Sequence, residues 1–140
     1  MKILIDNNVI LDVFQNREPF VKYSSRVLSL IENDSVEGYI TANSVTDIHY
    51  ILNKHLKDRQ KLYSVMEVLL ELVDVLDVTG RDVREALRPD ATDFEDELIC
   101  VCAKRWEVDY IITRNKKDFV HCAVESMTPE AFLEKFHHKR

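Results

Sequence analysis

The sequence predicts an α/β fold in which a central parallel β-sheet is covered by helices on both faces. Short apolar runs alternate with longer segments whose apolar residues recur at helical spacing, and this alternation is typical of such sheets. The 140 residues, 46% of them apolar, can bury a core without a metal or a disulfide. We therefore expect residues 1–140 to form one domain, with a three-layer α/β/α arrangement and a sheet of four to five short strands.

A strand, a helix and a second strand are predicted at the start of the chain. Residues 3–5 are a short apolar run, and the Asp-Asn-Asn that follows is typical of a turn. Residues 19–32 have a proline near their start and apolar side chains at helical spacing, which predicts a helix. Residues 37–41 are the second strand candidate.

Two long helices and a third strand follow. Asn43 or Ser44 is the predicted N-terminal cap of a helix that runs to about residue 56. Residues 58–72 have the same one-sided apolar pattern and predict another helix. Residues 75–78 are the third short apolar run, so we expect a strand there.

The next two helices lead to the clearest strand. Thr79 is a predicted cap, and its helix ends before Pro89 because a residue that precedes proline avoids helical geometry. Asp93 opens a further helix that runs to about Trp106. Residues 109–113 are β-branched and aromatic, which favours a strand.

Three short elements complete the prediction. A short helix is expected over residues 117–120 and a weak strand near residues 123–126. The last helix starts at Thr128-Pro129, where a capping residue precedes proline at the first helical position.

The charge and the glycine content exclude several modes of ligand binding. The chain has 25 acidic and 19 basic side chains and a net charge of −6, so it is a poor candidate for binding nucleic acid through a basic patch. Its two glycines, Gly38 and Gly80, are too far apart to form a phosphate-binding loop.

The cysteines predict a reducing compartment. Cys100, Cys102 and Cys122 are odd in number and include no CxxC pair, which fits neither a disulfide framework nor a thiolate zinc site. Cys100 and Cys102 lie in an apolar run, where packing in the core is the expected role. No signal peptide or membrane span is predicted, so we expect a cytoplasmic protein that does not associate with a membrane.

Several acidic residues are placed where parallel strands are predicted to end. Asp6 follows the first strand, Asp118 follows the strand at 109–113, and Asp47 lies one turn into the helix after the second strand. If the first and fourth strands are neighbours, these side chains converge with those of Asp93 and Asp96 at one edge of the sheet. Any one of these acids, taken alone, is also explained as a helix cap or a surface charge.

A cluster of carboxylates raises its own pKa values unless a cation lies among them. Because no histidine or cysteine falls at these positions, the cluster favours Mg²⁺ or Mn²⁺ over zinc. The spacing of these acids alone is also compatible with a receiver domain, in which an aspartate accepts a phosphate. A receiver domain requires a lysine at the end of a later strand, and this chain has none there.

Four segments of the chain resemble the PIN-domain family. IDNNVILDV at residues 5–13 resembles the opening that the family usually writes as Asp-Thr-Asn-Val-Leu-Leu-Asp. The resemblance continues, in the family's order, with TANSVTDIHY at 41–50, DFEDEL at 93–98 and IITRNKKDF at 111–119. The length and the lack of further domains resemble the VapC-type toxins of bacterial toxin–antitoxin pairs.

The resemblance implies a ribonuclease that needs one or two Mg²⁺ or Mn²⁺ ions. Carried over by motif, the catalytic and metal-binding acids are Asp6, Asp47, Asp96 and Asp118. The auxiliary residues are Asp93, Asn8, Thr113 and Asn115. Weaker candidates for contact with RNA are Arg114, Lys116, Lys117 and Lys54. Asp47 stands where the family more often has Glu, and Asn115 where it often has Asp.

The same resemblance implies a mechanism and partners. Metal held by Asp6 and Asp96 would activate a water for in-line attack on an RNA phosphodiester, leaving 3′-hydroxyl and 5′-phosphate ends. Bound divalent ions would also change the acidic pocket from repelling phosphate to attracting it. VapC-like proteins usually form homodimers and are inhibited by an antitoxin.

Two questions stay open at the level of the sequence. The alternative to an active enzyme is a degenerate PIN fold that serves as an interaction module. The surface that would form a dimer is also open. Apolar helix residues could supply this surface, although core packing explains them equally well. They are Tyr23, Val27, Leu62, Met66 and Leu69.

Overall fold

The computed structural model describes residues 1–138 and contains a five-stranded parallel sheet. The strands are β1 (Lys2–Ile5), β2 (Glu37–Thr41), β3 (Asp74–Leu76), β4 (Tyr110–Ile112) and β5 (Glu125–Met127). Their order across the sheet is β3-β2-β1-β4-β5, and every neighbouring pair is parallel. The predicted α/β fold is therefore confirmed, and β1 and β4 are neighbours.

Helices cover both faces of the sheet. They are α1 (Asn7–Phe14), α2 (Val21–Glu32), α3 (Ala42–Leu56), α4 (Arg59–Leu72), α5 (Gly80–Ala86), α6 (Phe94–Arg105) and α7 (Pro129–His138), together with a 3₁₀ helix (Lys116–Phe119). Successive side chains of β1 point to opposite faces. Ile3 and Ile5 pack in a core with α1 to α4 and α7, whereas Leu4 packs with α6 and the 3₁₀ helix. This separation confirms the three-layer arrangement.

Helix α1 occupies a segment in which the sequence predicts a turn. Asp6 is its N-terminal cap, and the Asp6 carboxylate accepts a hydrogen bond from the backbone N–H of Asn7 at 2.8 Å. The prediction was wrong because α1 buries four consecutive residues, from Val9 to Asp12, and so has no exposed stripe to produce a helical period.

The predicted caps of α5 and α6 are confirmed, but that of α3 is wrong. The Thr79 hydroxyl accepts from the backbone N–H of Asp82 at 3.1 Å in a capping box, and Asp93 accepts from the N–H of Asp96 at 3.1 Å. Helix α3 instead begins after Thr41, without a side-chain cap. The hydroxyls of Thr41 and Ser44 are buried and bond to each other at 2.8 Å, which leaves neither as a cap.

The cysteine prediction is partly wrong. Cys100 in α6 and Cys122 are joined by a disulfide, with Cα atoms 5.4 Å apart, whereas Cys102 is a free and buried cysteine as expected. The pair was not predicted because the two residues are separated by 22 positions and meet only through the path of the chain along β4.

The helix residues considered for a dimer surface belong to the core. Val27, Leu62, Met66 and Leu69 are buried, and Tyr23 packs against the same core. Core packing accounts for this set, and the homodimer stays a prediction. No helix within residues 1–138 is long and apolar enough to cross a membrane.

Candidate active site

An acidic cleft lies at the carboxyl ends of β1 and β4, where the direction of strand order reverses. This position is where open α/β sheets bind ligands. The cleft has a volume of about 400 Å³ and is lined by Asp6, Asn7, Asn8, Leu11, Asp47, Tyr50, Ile51, Asp93, Glu95, Asp96, Asn115 and Asp118. All four acids predicted to be catalytic are in this set, as are three of the four predicted auxiliary residues. We refer to it below as the acidic cleft.

Asp6 is the most rigidly held of these acids. Its backbone N–H donates to the carbonyl of Ile112 at 2.9 Å, which continues the pairing of β1 with β4. Its carboxylate accepts from the N–H of Asn7 and from the Thr113 hydroxyl, each at 2.8 Å. Only 8% of Asp6 is exposed. Two neighbouring strands therefore determine where this carboxylate lies.

Thr113 is the one predicted auxiliary residue that does not line the cleft. It is fully buried beneath Asp6, and its hydroxyl donates to Asp6 Oδ2 and accepts from the backbone N–H of Asn115 at 3.0 Å. Thr113 therefore orients Asp6 and also fixes the start of the loop that follows β4.

Helix α6 brings three acids to the opposite side of the cleft. Asp93 caps the helix and lines the cleft, so the structural and functional explanations of this residue both apply. Asp96 follows within the first turn, next to Glu95. The sequence analysis did not select Glu95, although its position beside Asp96 at the start of α6 was a usable signal.

Asp47 and Asp118 complete the set from two other elements. Asp47 is half-buried in the second turn of α3, and Asp118 is exposed in the 3₁₀ helix. The backbone N–H of Asp118 donates to the carbonyl of Asn115 at 2.9 Å, so the 3₁₀ turn carries this carboxylate to the cleft.

The raised pKa values of Asp6, Glu95 and Asp96 indicate that the charges of these three acids are poorly compensated. Burial, followed by the charges of Asp93, Asp6 and Asp118, raises the pKa of Asp96 to about 7. Burial also raises the pKa of Asp6, although the hydrogen bonds from Thr113 and Asn7 oppose it. Burial and then the charge of Asp47 raise the pKa of Glu95.

The donor set of the cleft fits a hard divalent cation. Its polar side chains offer carboxylate, amide and phenol groups, and the buried Asn7 Oδ1 has no hydrogen-bond partner. Oxygen ligands of this kind favour Mg²⁺ and Mn²⁺. Among residues 1–138 no three histidine, cysteine, aspartate or glutamate side chains are grouped closely enough to hold an ion as they stand. The carboxylates share the cleft but remain spread apart in it.

The lysines predicted to contact RNA differ in how close they lie to the acidic cleft. Lys117 borders a second cavity, of about 200 Å³, which shares Asp93, Asp96 and Asp118 with the acidic cleft. Lys54 lies 5.0 Å from the ring of Tyr50, which lines the cleft. Lys116 is exposed but does not line either cavity.

Arg114 is held in a buried ion pair that the sequence analysis missed. Its Nε lies 3.0 Å from Asp12 Oδ2, and its guanidinium stacks 3.8 Å from the ring centre of Phe20. Asp12 is fully buried in α1 and also accepts from the Ser24 hydroxyl of α2 at 3.2 Å. This group, which we call the Asp12 network, joins α1, α2 and the loop after β4. Contact of Arg114 with RNA stays a prediction.

Comparisons with known proteins agree with this fold. The family model described as "PIN domain" matches residues 2–117. Ribonuclease VapC1 of Aquifex aeolicus is 26% identical to this chain, and the match covers 96% of this chain and 95% of the relative. A toxin–antitoxin complex from Klebsiella pneumoniae has a similar structure, with a TM-score of 0.67 at 18% identity over 91% of this chain and 97% of that one. VapBC-1 of nontypeable Haemophilus influenzae gives a TM-score of 0.66 at 18% identity, over 93% and 99% of the two chains.

Proposed function

The chain belongs to the PIN-domain family, and we propose that it is a ribonuclease that hydrolyses RNA phosphodiester bonds with Mg²⁺ or Mn²⁺. The observation that carries the proposal is the acidic cleft, which is lined by six carboxylates and in which the pKa of Asp96 is raised to about 7. Such a cluster is costly unless a cation joins it. A degenerate fold with no ligand would have no need to keep these charges together.

We propose that Asp6 and Asp96 hold the metal, with Asp47 and Asp118 completing or positioning its site. A bound Mg²⁺ or Mn²⁺ supplies Lewis-acid stabilisation of the phosphate and activates the attacking water. Thr113 orients Asp6 by donating to Oδ2, and this hydrogen bond lowers the pKa of Asp6 against the larger effect of burial. Asn8 and Asn115 line the cleft, and we propose that their amide groups donate to phosphate oxygens.

The second cavity adjoins the acidic cleft, and we propose that the RNA strand passes along it. It extends from Asp93, Asp96 and Asp118 to Lys117 and His121. The Lys117 ammonium at its border suits a phosphate next to the one that is cleaved, because phosphate contacts position a nucleic acid without reading its sequence.

We further propose that the protein is the toxin of a toxin–antitoxin pair and acts in the cytoplasm as a single domain and a homodimer. The relatives support an antitoxin partner, since two of the similar structures are described as complexes of this kind. The RNA target and the dimer surface are separate questions.

RNA cleavage by the purified chain is the direct test. We expect cleavage with Mg²⁺ or Mn²⁺, none with a chelator, and products with 3′-hydroxyl and 5′-phosphate ends. Sequencing RNA ends after brief induced expression tests the activity and the target together. A folded chain that binds no Mn²⁺ in calorimetry and cleaves no RNA would contradict the proposal and favour an interaction module.

Replacement of Thr113 by valine tests the support beneath Asp6. The change removes the donor to Asp6 Oδ2 while keeping the shape of the side chain. Loss of such a supporting partner typically weakens metal binding by about 10–100-fold, and we expect this loss of Mn²⁺ affinity in calorimetry. Thr113→Ser should restore affinity. The matched control is Thr46→Val, whose hydroxyl bonds only to a carbonyl of its own helix. Equal affinity in Thr113→Val and the parent chain would show that Thr113 has no such role.

A further inference from the structure

The disulfide between Cys100 and Cys122 joins the two parts of the chain that carry Asp96 and Asp118. Cys100 lies in α6 and Cys122 follows the 3₁₀ helix, and their Cα separation of 5.4 Å is ordinary for a disulfide. Both cysteines are half-buried, whereas Cys102 is fully buried. A small thiol or disulfide can therefore reach this pair more readily than it can reach Cys102.

The spacing along the chain is the same on both sides of the disulfide, since each cysteine follows an acid of the cleft by four residues. Cys100 is four residues after Asp96 in the same helix and so lies on the same face, one turn further on. Cys122 is four residues after Asp118, and its backbone N–H donates to the carbonyl of Phe119 at 3.0 Å, which keeps this segment in a tight turn. Each cysteine is thus rigidly connected to one acid of the cleft.

Helix α6 is anchored to the rest of the fold by its buried residues Leu98, Ile99, Cys102 and Ala103, and Arg105 near its end pairs with Asp82 at 2.7 Å. The disulfide therefore restrains mainly the 3₁₀ helix relative to the first turns of α6. Helix α6 is preceded by residues 87–93, which are irregular and mostly exposed. The 3₁₀ helix is held by the buried ring of Phe119 and by one long hydrogen bond, 3.5 Å, from Ser126 Oγ to the carbonyl of Lys116. The like charges of Asp96 and Asp118 act to separate the elements that the disulfide connects.

We propose that Cys100 and Cys122 are a redox-controlled site whose disulfide holds α6 and the 3₁₀ helix together and so sets the affinity of the acidic cleft for a divalent cation. The inference rests on the metal site of the proposed function, but not on RNA cleavage. Cysteine pairs in reducing compartments are commonly redox-sensing when they do form disulfides.

The reaction is thiol–disulfide exchange with a low-molecular-weight disulfide, RSSR. One cysteine thiolate attacks RSSR to form a mixed disulfide and releases RS⁻, which takes up a proton as RSH. The second thiolate attacks the cysteine sulfur of the mixed disulfide, forms the Cys100–Cys122 bond and releases a second RSH. Two electrons pass from the cysteines to RSSR, and the two thiol protons are balanced by the two RSH. An excess of RSH reverses both steps.

The oxidised form should bind the cation more tightly. In the reduced form the 3₁₀ helix gains conformational freedom relative to α6, and closing the site around an ion then costs entropy that the disulfide has already removed. Couplings between two sites are typically about 5–150-fold, and we expect at least about fivefold here. By linkage, Mn²⁺ must favour the disulfide over the thiols by the same factor.

Calorimetry with Mn²⁺ on the oxidised and the fully reduced chain tests the proposal without RNA. We expect tighter binding by the oxidised chain, and Cys122→Ser should match the reduced chain with or without reductant. In a glutathione redox buffer, Mn²⁺ should raise the oxidised fraction, measured by alkylation of free thiols. Cys102→Ala is the matched control and should keep the redox dependence.

Equal Mn²⁺ affinity of the two forms would overturn the proposal. A chain that binds no Mn²⁺ in either form would overturn it together with the metal site. Redox-dependent Mn²⁺ binding without RNA cleavage would support this proposal and contradict the proposed ribonuclease function. The comparison of oxidised and reduced parent chains does not depend on whether Cys122→Ser folds.

Discussion

Replacement of Asp96 by asparagine abolishes RNA cleavage and, above pH 7, makes the metal-free protein more stable. The loss of activity follows because Asp96 is one of the two acids proposed to hold the metal. Loss of a group that only supports a metal ligand typically lowers metal affinity or activity by about 10–100-fold. Removal of a ligand itself should therefore lower the activity by at least about 100-fold. Asp6→Asn should have the same effect on cleavage and on growth inhibition, without unfolding the chain.

The gain in stability follows from the raised pKa of Asp96. Burial and the neighbouring acids raise this pKa to about 7 in the folded protein, against a usual value of 3.8. Below about pH 4 such a carboxyl group is protonated in the folded and the unfolded protein and does not change the free energy of unfolding. As the pH rises from 4 to 7, it lowers this free energy progressively, because the unfolded state loses the proton first. Asparagine carries no charge, so the variant avoids this cost.

Thermal unfolding with a chelator present, at pH 5 and at pH 8, measures the effect. We expect the melting temperature of Asp96→Asn to exceed that of the parent chain by several degrees at pH 8, and the difference to be smaller at pH 5. The matched control is Asp34→Asn, an exposed position outside the acidic cleft with φ of 62°, which both residue types tolerate. An Asp96→Asn variant with full activity would rule out the assigned role of Asp96.

Replacement of Asp12 by alanine should produce a large loss of stability. Asp12 is fully buried, and its removal leaves Arg114 without the carboxylate 3.0 Å from its Nε. Breaking a buried ion pair from one side costs about 3–5 kcal/mol, because the remaining charge is uncompensated. Urea unfolding measures this loss, and Asp12→Asn should lose less because it can still accept from Ser24.

A double variant separates the lost pair from the lost packing. Replacing Asp12 by leucine and Arg114 by methionine removes both charges of the close pair, and such replacements are often neutral or stabilising. Arg17, whose Nη1 lies 4.0 Å from Asp12 Oδ1, keeps its hydrogen bond to Asn8 in this variant. We expect the double variant to regain most of the stability that Asp12→Ala loses. A loss within about 0.5 kcal/mol for Asp12→Ala, typical of a surface change, would contradict the buried network.

The gathering of the acids was predictable because each one is tied to a local signal. Asp6 follows a strand, Asp93 is a helix cap, and Asp118 follows the turn after β4. The topology of a parallel sheet then brings such positions to one edge. The structure places the four predicted acids in a single cleft, and their catalytic roles stay a prediction.

The features that sequence reasoning missed depend on burial or on the path of the chain. Helix α1 has no exposed face, so its sequence shows no alternation of polar and apolar residues at helical spacing. Asp12 belongs to a family motif, but the motif does not indicate that its side chain is buried. The pairing of Arg114 with Asp12 and that of Cys100 with Cys122 require knowledge of which elements meet in space. No local pattern contains that information.

The central position of β1 has a consequence for how the protein is made. Lys2 bonds to Asp109 and Asp6 to Thr113, each across 107 positions. Contacts so distant in sequence form late, and chains emerge from the ribosome N-terminus first. The side of the core built from α1 to α4 can therefore begin to pack while β4 is still being synthesised. The acidic cleft is assembled only when nearly the whole chain is present, so a nascent chain is expected to be harmless to the RNA around it.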